Sequence, residues 1–195
     1  MDRLILASAS PRRVDLLRSL EVEFDVIPSR AEELHDATVG AVKLCECNAL
    51  RKAEEVARKH PDRLVLGADT LVTMDRALFG KPADLTEAFA MLSQLSGKTH
   101  QVITGVALLH QARNRREVFM DQTLVTFKLL DTATIRSYLE AVPVLDKAGA
   151  YGIQERGEML VERVSGSISN VIGLPLEKLS EALWRWGIPH STRSR

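Results

Sequence analysis

The stretch that most constrains this chain is Leu4-Ile5-Leu6-Ala7-Ser8-Ala9-Ser10-Pro11-Arg12-Arg13. Its opening apolar residues read as a short buried strand, and small hydroxyl residues follow at once. Ser10 stands where an N-cap belongs, with Pro11 at the first helical position. Val14, Leu16, Leu17 and Leu20 then fit one helical face. The chain thus reads strand, tight serine turn, helix, with Arg12 and Arg13 in the first helical turn. Cations there oppose the helix dipole, which favours anions at that end. One explanation is an anion site built from free N–H groups, the hydroxyls of Ser8 and Ser10, and guanidinium forks. The other is an ordinary Ser-Pro cap followed by two solvated arginines. This stretch alone leaves both open.

Lys+Arg and Asp+Glu balance at 26 each, which argues against broad electrostatic capture of nucleic acid and makes any anion handling local. No apolar run approaches the roughly 18 residues that span a bilayer. The first strand starts by residue 4, leaving no room for a signal-peptide core. Cys45 and Cys47 lie two apart on an expected helix, on different faces and without metal-ligand partners. Both read as reduced packing residues of a cytoplasmic protein.

Further along, Val22, Phe24 and Val26 alternate with acids and predict a half-exposed strand. Glu32 and Glu33 follow in a polar loop, where solvation is the commoner explanation and a metal-binding edge the alternative. Val42, Cys45, Ala49, Ala53 and Val56 predict a helix from Val39 to about Lys59, with Lys52 beside the apolar stripe. Leu64 to Leu66 reads as a buried strand that Gly67-Ala68-Asp69-Thr70 breaks. A carboxylate among small residues at a strand end is where a ligand can approach the backbone.

Asp75-Arg76 predicts a hairpin turn leading to Gly80-Lys81-Pro82, where Lys81 is pinned between two backbone-constraining residues. Asp84 and Glu87 form a capping box for a helix ending near Leu95. Gln101 to Leu109 and Val118 to Leu129 read as paired strands, and Asp131 caps a short helix. Residues 146–154 form a loop of small residues punctuated by Asp146, Lys147, Tyr151 and Gln154. The Gln154 amide could read a base edge with paired donor and acceptor atoms, or belong to a plain surface loop. Met159 to Val164 reads as a strand, Ser165 to Asn170 as a second hydroxyl-rich turn, and Leu176 to Trp186 as the closing helix.

Six blocks resemble the Maf family of nucleoside triphosphate pyrophosphatases, in family order. They are Leu6–Arg13, Gly67–Thr70, Gly80–Pro82, Ser96–His100, Asp146–Gln154 and Asn170–Leu176. The resemblance implies an elongated, two-lobed α/β fold with a mixed, twisted sheet and a central nucleotide-binding cleft. It implies one such domain over residues 1–190 and a polar tail at 191–195. It also implies cleavage between the α- and β-phosphates of a nucleotide with a divalent metal. The match is closest to the subgroup that prefers dTTP and UTP, with modified pyrimidine nucleotides also admitted.

Carried onto this chain, the catalytic carboxylate is Asp69 and the selecting positions are Arg12, Thr70 and Gln154. The phosphate-binding set is Ser8, Ser10, Arg12, Arg13, Lys52 and Lys81, and the metal pair is Glu33 and Asp69. Two stretches depart from the family pattern: Ala31-Glu32-Glu33, and Asn48-Ala49-Leu50-Arg51 before Lys52. The chemistry agrees with the resemblance. A triphosphate needs clustered cations, and Mg²⁺ or Mn²⁺ needs only one or two carboxylates because it keeps several waters. A nucleotide-binding regulator of septum formation or cell division is the alternative, and a kinase lacks its Gly-rich lysine loop here. The expected partner is a small-molecule nucleotide, not nucleic acid or membrane. The oligomeric state stays open, a homodimer included.

Overall fold

The computed structural model describes residues 3–75 and 77–191. Arg76 of the expected hairpin turn and residues 192–195 of the expected tail lie outside them. The described residues form one seven-stranded mixed sheet with α-helices on both sides, the α/β class expected. Among them no helix is long and apolar enough to cross a membrane.

The opening motif folds as read: β1 (Leu4–Leu6), a serine turn, then α1 (Pro11–Ser19) with Pro11 in its first turn. Ser10 holds the N-cap position, but its side chain makes no capping hydrogen bond. Instead Ser10 N donates to Ser8 Oγ at 3.2 Å. Strand β2 (Phe24–Val26) runs parallel to β1. Helix α2 (Ala41–Ala57) then leads to β3 (Val65–Met74). Strand β3 pairs parallel with β1 and antiparallel with β5 (Thr99–His110), which pairs with β6 (Arg115–Phe127).

Three expectations fail here. The strand broken at Gly67–Thr70 is one continuous β3, with Gly67 to Thr70 paired to Ala107 to Thr104 of β5. Gly67 is there for a neighbour, not for a break. A Cβ on it would lie 2.2 Å from Ala49 O, and one on Gly105 2.7 Å from Cys45 O, so α2 lies directly on the sheet at these two points. The second hydroxyl-rich turn is in part a helix, α5 (Ile168–Ile172), whose N-cap Ser167 accepts from Asn170 N. Likewise β7 (Val161–Ser165) begins after a single turn over Gly157–Met159, two residues later than expected.

The cleft comes from a gap in pairing. On one edge of β3, β1 ends at the Leu6–Leu66 pair, and β4 (Ala77–Phe79) pairs only Val72 to Met74. Between them, Gly67 to Leu71 have no strand partner on that edge among the described residues. Open α/β sheets collect ligands where neighbouring strands part. Apolar clusters hold both ends of the gap. Leu4 and Leu6 pack with Leu17, Leu66 and Leu183 on one face, while Ile5 and Ala7 pack with Ala49, Ala53 and Val65 on the other, as strand alternation requires. Beyond the gap, Val72, Phe79, Leu92, Phe127 and Tyr138 form a separate core with α3 (Leu85–Leu95) and α4 (Thr132–Ala141). Both of those helices start on an Asp cap, Asp84 and Asp131, as the sequence predicts. Helix α6 (Leu176–Arg185) closes the first end through Leu179 and Leu183.

Candidate active site

The gap opens into a cleft of about 430 Å³, within the usual range for a ligand site. Its walls bring together Ser10, Arg12, Arg13, Glu33, Lys52, Asp69, Thr70, Lys81 and Gln154, residues drawn from the whole length of the chain. Of the residues singled out by sequence, Ser8 does not line it. Ser8 is buried behind the wall, its hydroxyl accepting from Ser10 N and from Arg13 Nη1. The wall carries five cations, Arg12, Arg13, Lys52, Lys81 and Lys147, against three carboxylates, Glu33, Asp69 and Asp146. A chain of zero formal net charge thus concentrates positive charge at one place.

At the floor, Asp69 is only 4% exposed, where a bare carboxylate would be costly. Lys52 Nζ donates to Asp69 Oδ1 and to Glu33 Oε1, each at 2.7 Å. Asn48 Nδ2 donates to Asp69 Oδ2 at 3.2 Å. Burial pushes the Glu33 carboxyl up, but the Lys52 ammonium, helped by Lys81 and Arg13, outweighs it and holds Glu33 below the usual carboxylate range.

Asn48 was missed by sequence. It stands one helical turn before Lys52, a spacing that puts both on one face of α2 and is the signal that could have found it. Its amide also takes both backbone groups of Leu34, accepting from Leu34 N and donating to Leu34 O. One buried side chain therefore holds the Glu33 loop against Asp69. Behind it, Cys45 Sγ donates to Asp69 O at 3.0 Å, and burial pushes this thiol up to about 12. It stays a neutral packing group, as read from sequence.

Arg13 fills the pairing gap. It donates from Nη1 to Ala68 O, from Nε to Gly173 O, from Nη1 to Ser8 Oγ and from Nη2 to Thr70 Oγ1. Its guanidinium supplies β3 with a donor where a strand partner is missing. Burial pulls its pKa down from the ordinary arginine value. Most of its five N–H donors are spent on protein, so what it offers the cleft is its charge more than its fork.

At the mouth, Arg12 Nη1 donates to Asp146 Oδ2 at 2.9 Å, and Arg12 Nη2 reaches Asp146 O at 3.5 Å. Asp146 Oδ1 accepts from Lys147 Nζ, which also pairs with Glu155. Burial raises the Asp146 carboxyl, and the Lys147 and Arg12 hydrogen bonds overcome this to hold it low. Gly152 lets the Lys147 stem lie close, since a Cβ there would stand 2.9 Å from it and the lysine would have to shift. The loop carrying Gln154 is further pinned by Tyr138, whose hydroxyl accepts from Gly152 N at 3.0 Å, and by Tyr151, hydrogen-bonded to buried His100 at 2.8 Å.

As for a metal, Glu33 and Asp69 offer two carboxylates at one ammonium, and no third His, Cys, Asp or Glu joins them among the described residues. That donor set fits a hard divalent cation that keeps waters and takes substrate oxygens, and does not fit an all-protein cage.

The family model described as "Maf-like protein" matches residues 3–186. A Bacillus velezensis protein named dTTP/UTP pyrophosphatase is 45% identical over 186 residues, covering 95% of this chain and 97% of its own. An Akkermansia muciniphila protein of the same name is 46% identical over 180 residues, covering 92% and 94%. A solved structure of a HAM1 protein from Coxiella burnetii superposes with a TM-score of 0.52 at 18% identity, over 95% of this chain and 100% of that one, a likeness of fold. Matched from β1 to the end of α6, this chain belongs to the Maf family.

Proposed function

We propose that this chain hydrolyses dTTP and UTP at the α–β phosphoanhydride, releasing the nucleoside monophosphate and pyrophosphate. The observation that carries the reading is the Asp69–Lys52–Glu33 bridge, set on the floor of a cleft whose wall carries excess positive charge. The names of the relatives support the substrate.

Asp69 spends one lone pair of Oδ1 on Lys52 and one of Oδ2 on Asn48, so each oxygen can still accept from a water. It holds that water for in-line attack on the α-phosphorus and takes its proton. Lys52, with two of its three N–H donors on carboxylates, directs its third to a phosphate oxygen. Arg12 and Lys81 supply further charge to the phosphates, and Arg13 supplies field from behind. A divalent cation held by Glu33 and Asp69 would neutralise charge on the phosphates. Gln154 reads the 2,4-dioxo edge of the base. The enzyme works on the free nucleotide pool of the cytoplasm.

The test is product analysis on UTP with Asp69→Asn beside wild type. A general base removed costs roughly 10²–10⁴ in rate, and pyrophosphate should be the product of the wild type. Orthophosphate as primary product, or Asp69→Asn within a few-fold of wild type at equal melting temperature, contradicts the reading. Excess chelator should stop turnover.

A further inference from the structure

Thr70 and Thr104 are directly opposite each other on β3 and β5, and their hydroxyls lie 3.0 Å apart. Which of them donates is decided by their other partners. Thr104, with no exposed surface, is 2.9 Å from Asn170 O, a carbonyl that can only accept. The single Thr104 proton is therefore committed to Asn170 O. Thr70 must then donate to Thr104. Thr70 Oγ1 also accepts from Arg13 Nη2 at 2.9 Å, and Arg13 has no other role to offer than donor. The chain of bonds runs one way, Arg13 to Thr70 to Thr104 to Asn170 O, and each link is fixed at its far end.

A hydroxyl oxygen has one proton and two lone pairs. Thr70 has given its proton to Thr104 and one lone pair to Arg13. One lone pair remains, and Thr70 lines the cleft. Phosphate oxygens are acceptors and gain nothing from it, so Thr70 serves a donor elsewhere on the ligand. We propose that Thr104 sets the base preference of this enzyme. By drawing off the Thr70 proton, it leaves Thr70 with only an acceptor to present, which takes the N3–H of uracil or thymine and repels the N3 lone pair of cytosine. Thr104 is thus a positioning residue that acts through Thr70. The proposal rests on the dTTP/UTP reading and deepens it.

The experiment compares kcat/KM for UTP, dTTP and CTP in wild type, Thr104→Val and Thr104→Ser. Valine is near-isosteric and frees the Thr70 proton to turn toward the cleft. The preference for UTP over CTP should fall about tenfold in Thr104→Val, the effect of one mismatched polar contact. It should return in Thr104→Ser, and the UTP-to-dTTP ratio should hold throughout. An unchanged UTP-to-CTP ratio in folded Thr104→Val overturns the proposal. So does a change confined to UTP against dTTP, which would place Thr70 on the sugar. Should Thr104→Val fail to fold, 3-methyl-UTP on the wild type serves instead. Turnover at least about tenfold below UTP is expected, and turnover equal to UTP overturns the proposal. A wild type that ignores both UTP and dTTP refutes the substrate reading itself, which separates the two failures.

Discussion

Two consecutive arginines, Arg12 and Arg13, leave the first turn of α1 for opposite ends of the same cleft, and they do opposite work. Arg13 goes inward to four protein acceptors, two of them backbone carbonyls. Arg12 goes to the rim and pairs with Asp146, whose side chain is 57% exposed. The floor is assembled around the buried Asp69, Asn48 and Ser8, and their partners Arg13, Lys52 and Thr70 are half-buried. At the rim, by contrast, the Arg12–Asp146 pair has a carboxylate that water and salt can reach, although its neighbour Lys147 is buried. The same residue type therefore belongs to the framework at one end and to an adjustable mouth at the other. That contrast makes predictions about stability as well as activity.

The largest effect is expected at the floor. Arg13→Met leaves Ala68 O, Gly173 O and the Thr70 hydroxyl without their donor. Stranding such groups costs about 3 kcal/mol in sum, or a melting temperature lower by roughly 10 °C for a chain of this size. Arg12→Met should shift it by about 2 °C or less. Thermal melts of the two variants without nucleotide check this, and equal shifts would erase the contrast between the arginines.

How far sequence could reach follows the same division. The strand–turn–helix opening, the Asp84 and Asp131 caps and the apolar stripe of α2 were legible, because each is written within one element's own period. The continuity of β3 was not. Gly67 looks like a break, and what demands glycine there is Ala49 O on another element. Nor could any pattern separate Arg12 from Arg13, since the partners of one lie at 146 and those of the other at 8, 68, 70 and 173. The resemblance to the Maf family named residues that the structure gathers at the cleft, Ser8 apart, and it set Arg12 among the selecting positions, yet it put both arginines on the phosphates. It did not name Asn48 or Thr104, whose side chains hydrogen-bond Asp69 and Thr70.

An effect of similar size, seen only as pH falls, lies beneath the loop that carries Gln154. His100 is buried against Phe127 and Tyr151, and burial lowers it from 6.5 to about 4. Its ring is neutral in the folded protein, while the unfolded chain takes up a proton below pH 6.5. Stability from this site is therefore complete above pH 6.5 and is lost as pH falls toward 4, by on the order of 3 kcal/mol. Denaturant unfolding across that window should show the loss, and His100→Gln should flatten it. A wild-type slope identical to that of His100→Gln would remove His100 as its source.

The smallest effect is the one that defines the rim. Arg12 and Asp146 are 134 residues apart in sequence and join the helix that opens the chain to the loop that carries Gln154. Exposed ion pairs of this kind are worth about 0.2–1 kcal/mol. A double-mutant cycle of Arg12→Met and Asp146→Asn should return a coupling within that range. It should shrink as salt rises from about 0.05 to about 0.5 M, where the screening length falls below the reach of the pair. Such a weak join still matters to a mouth that must admit a polyanion. Arg12 spends two of its five N–H donors on Asp146, so the carboxylate can steady the guanidinium without occupying it. A coupling of about 3 kcal/mol, unmoved by salt, would mean that the rim is built like the floor, and the division between the two arginines would fall.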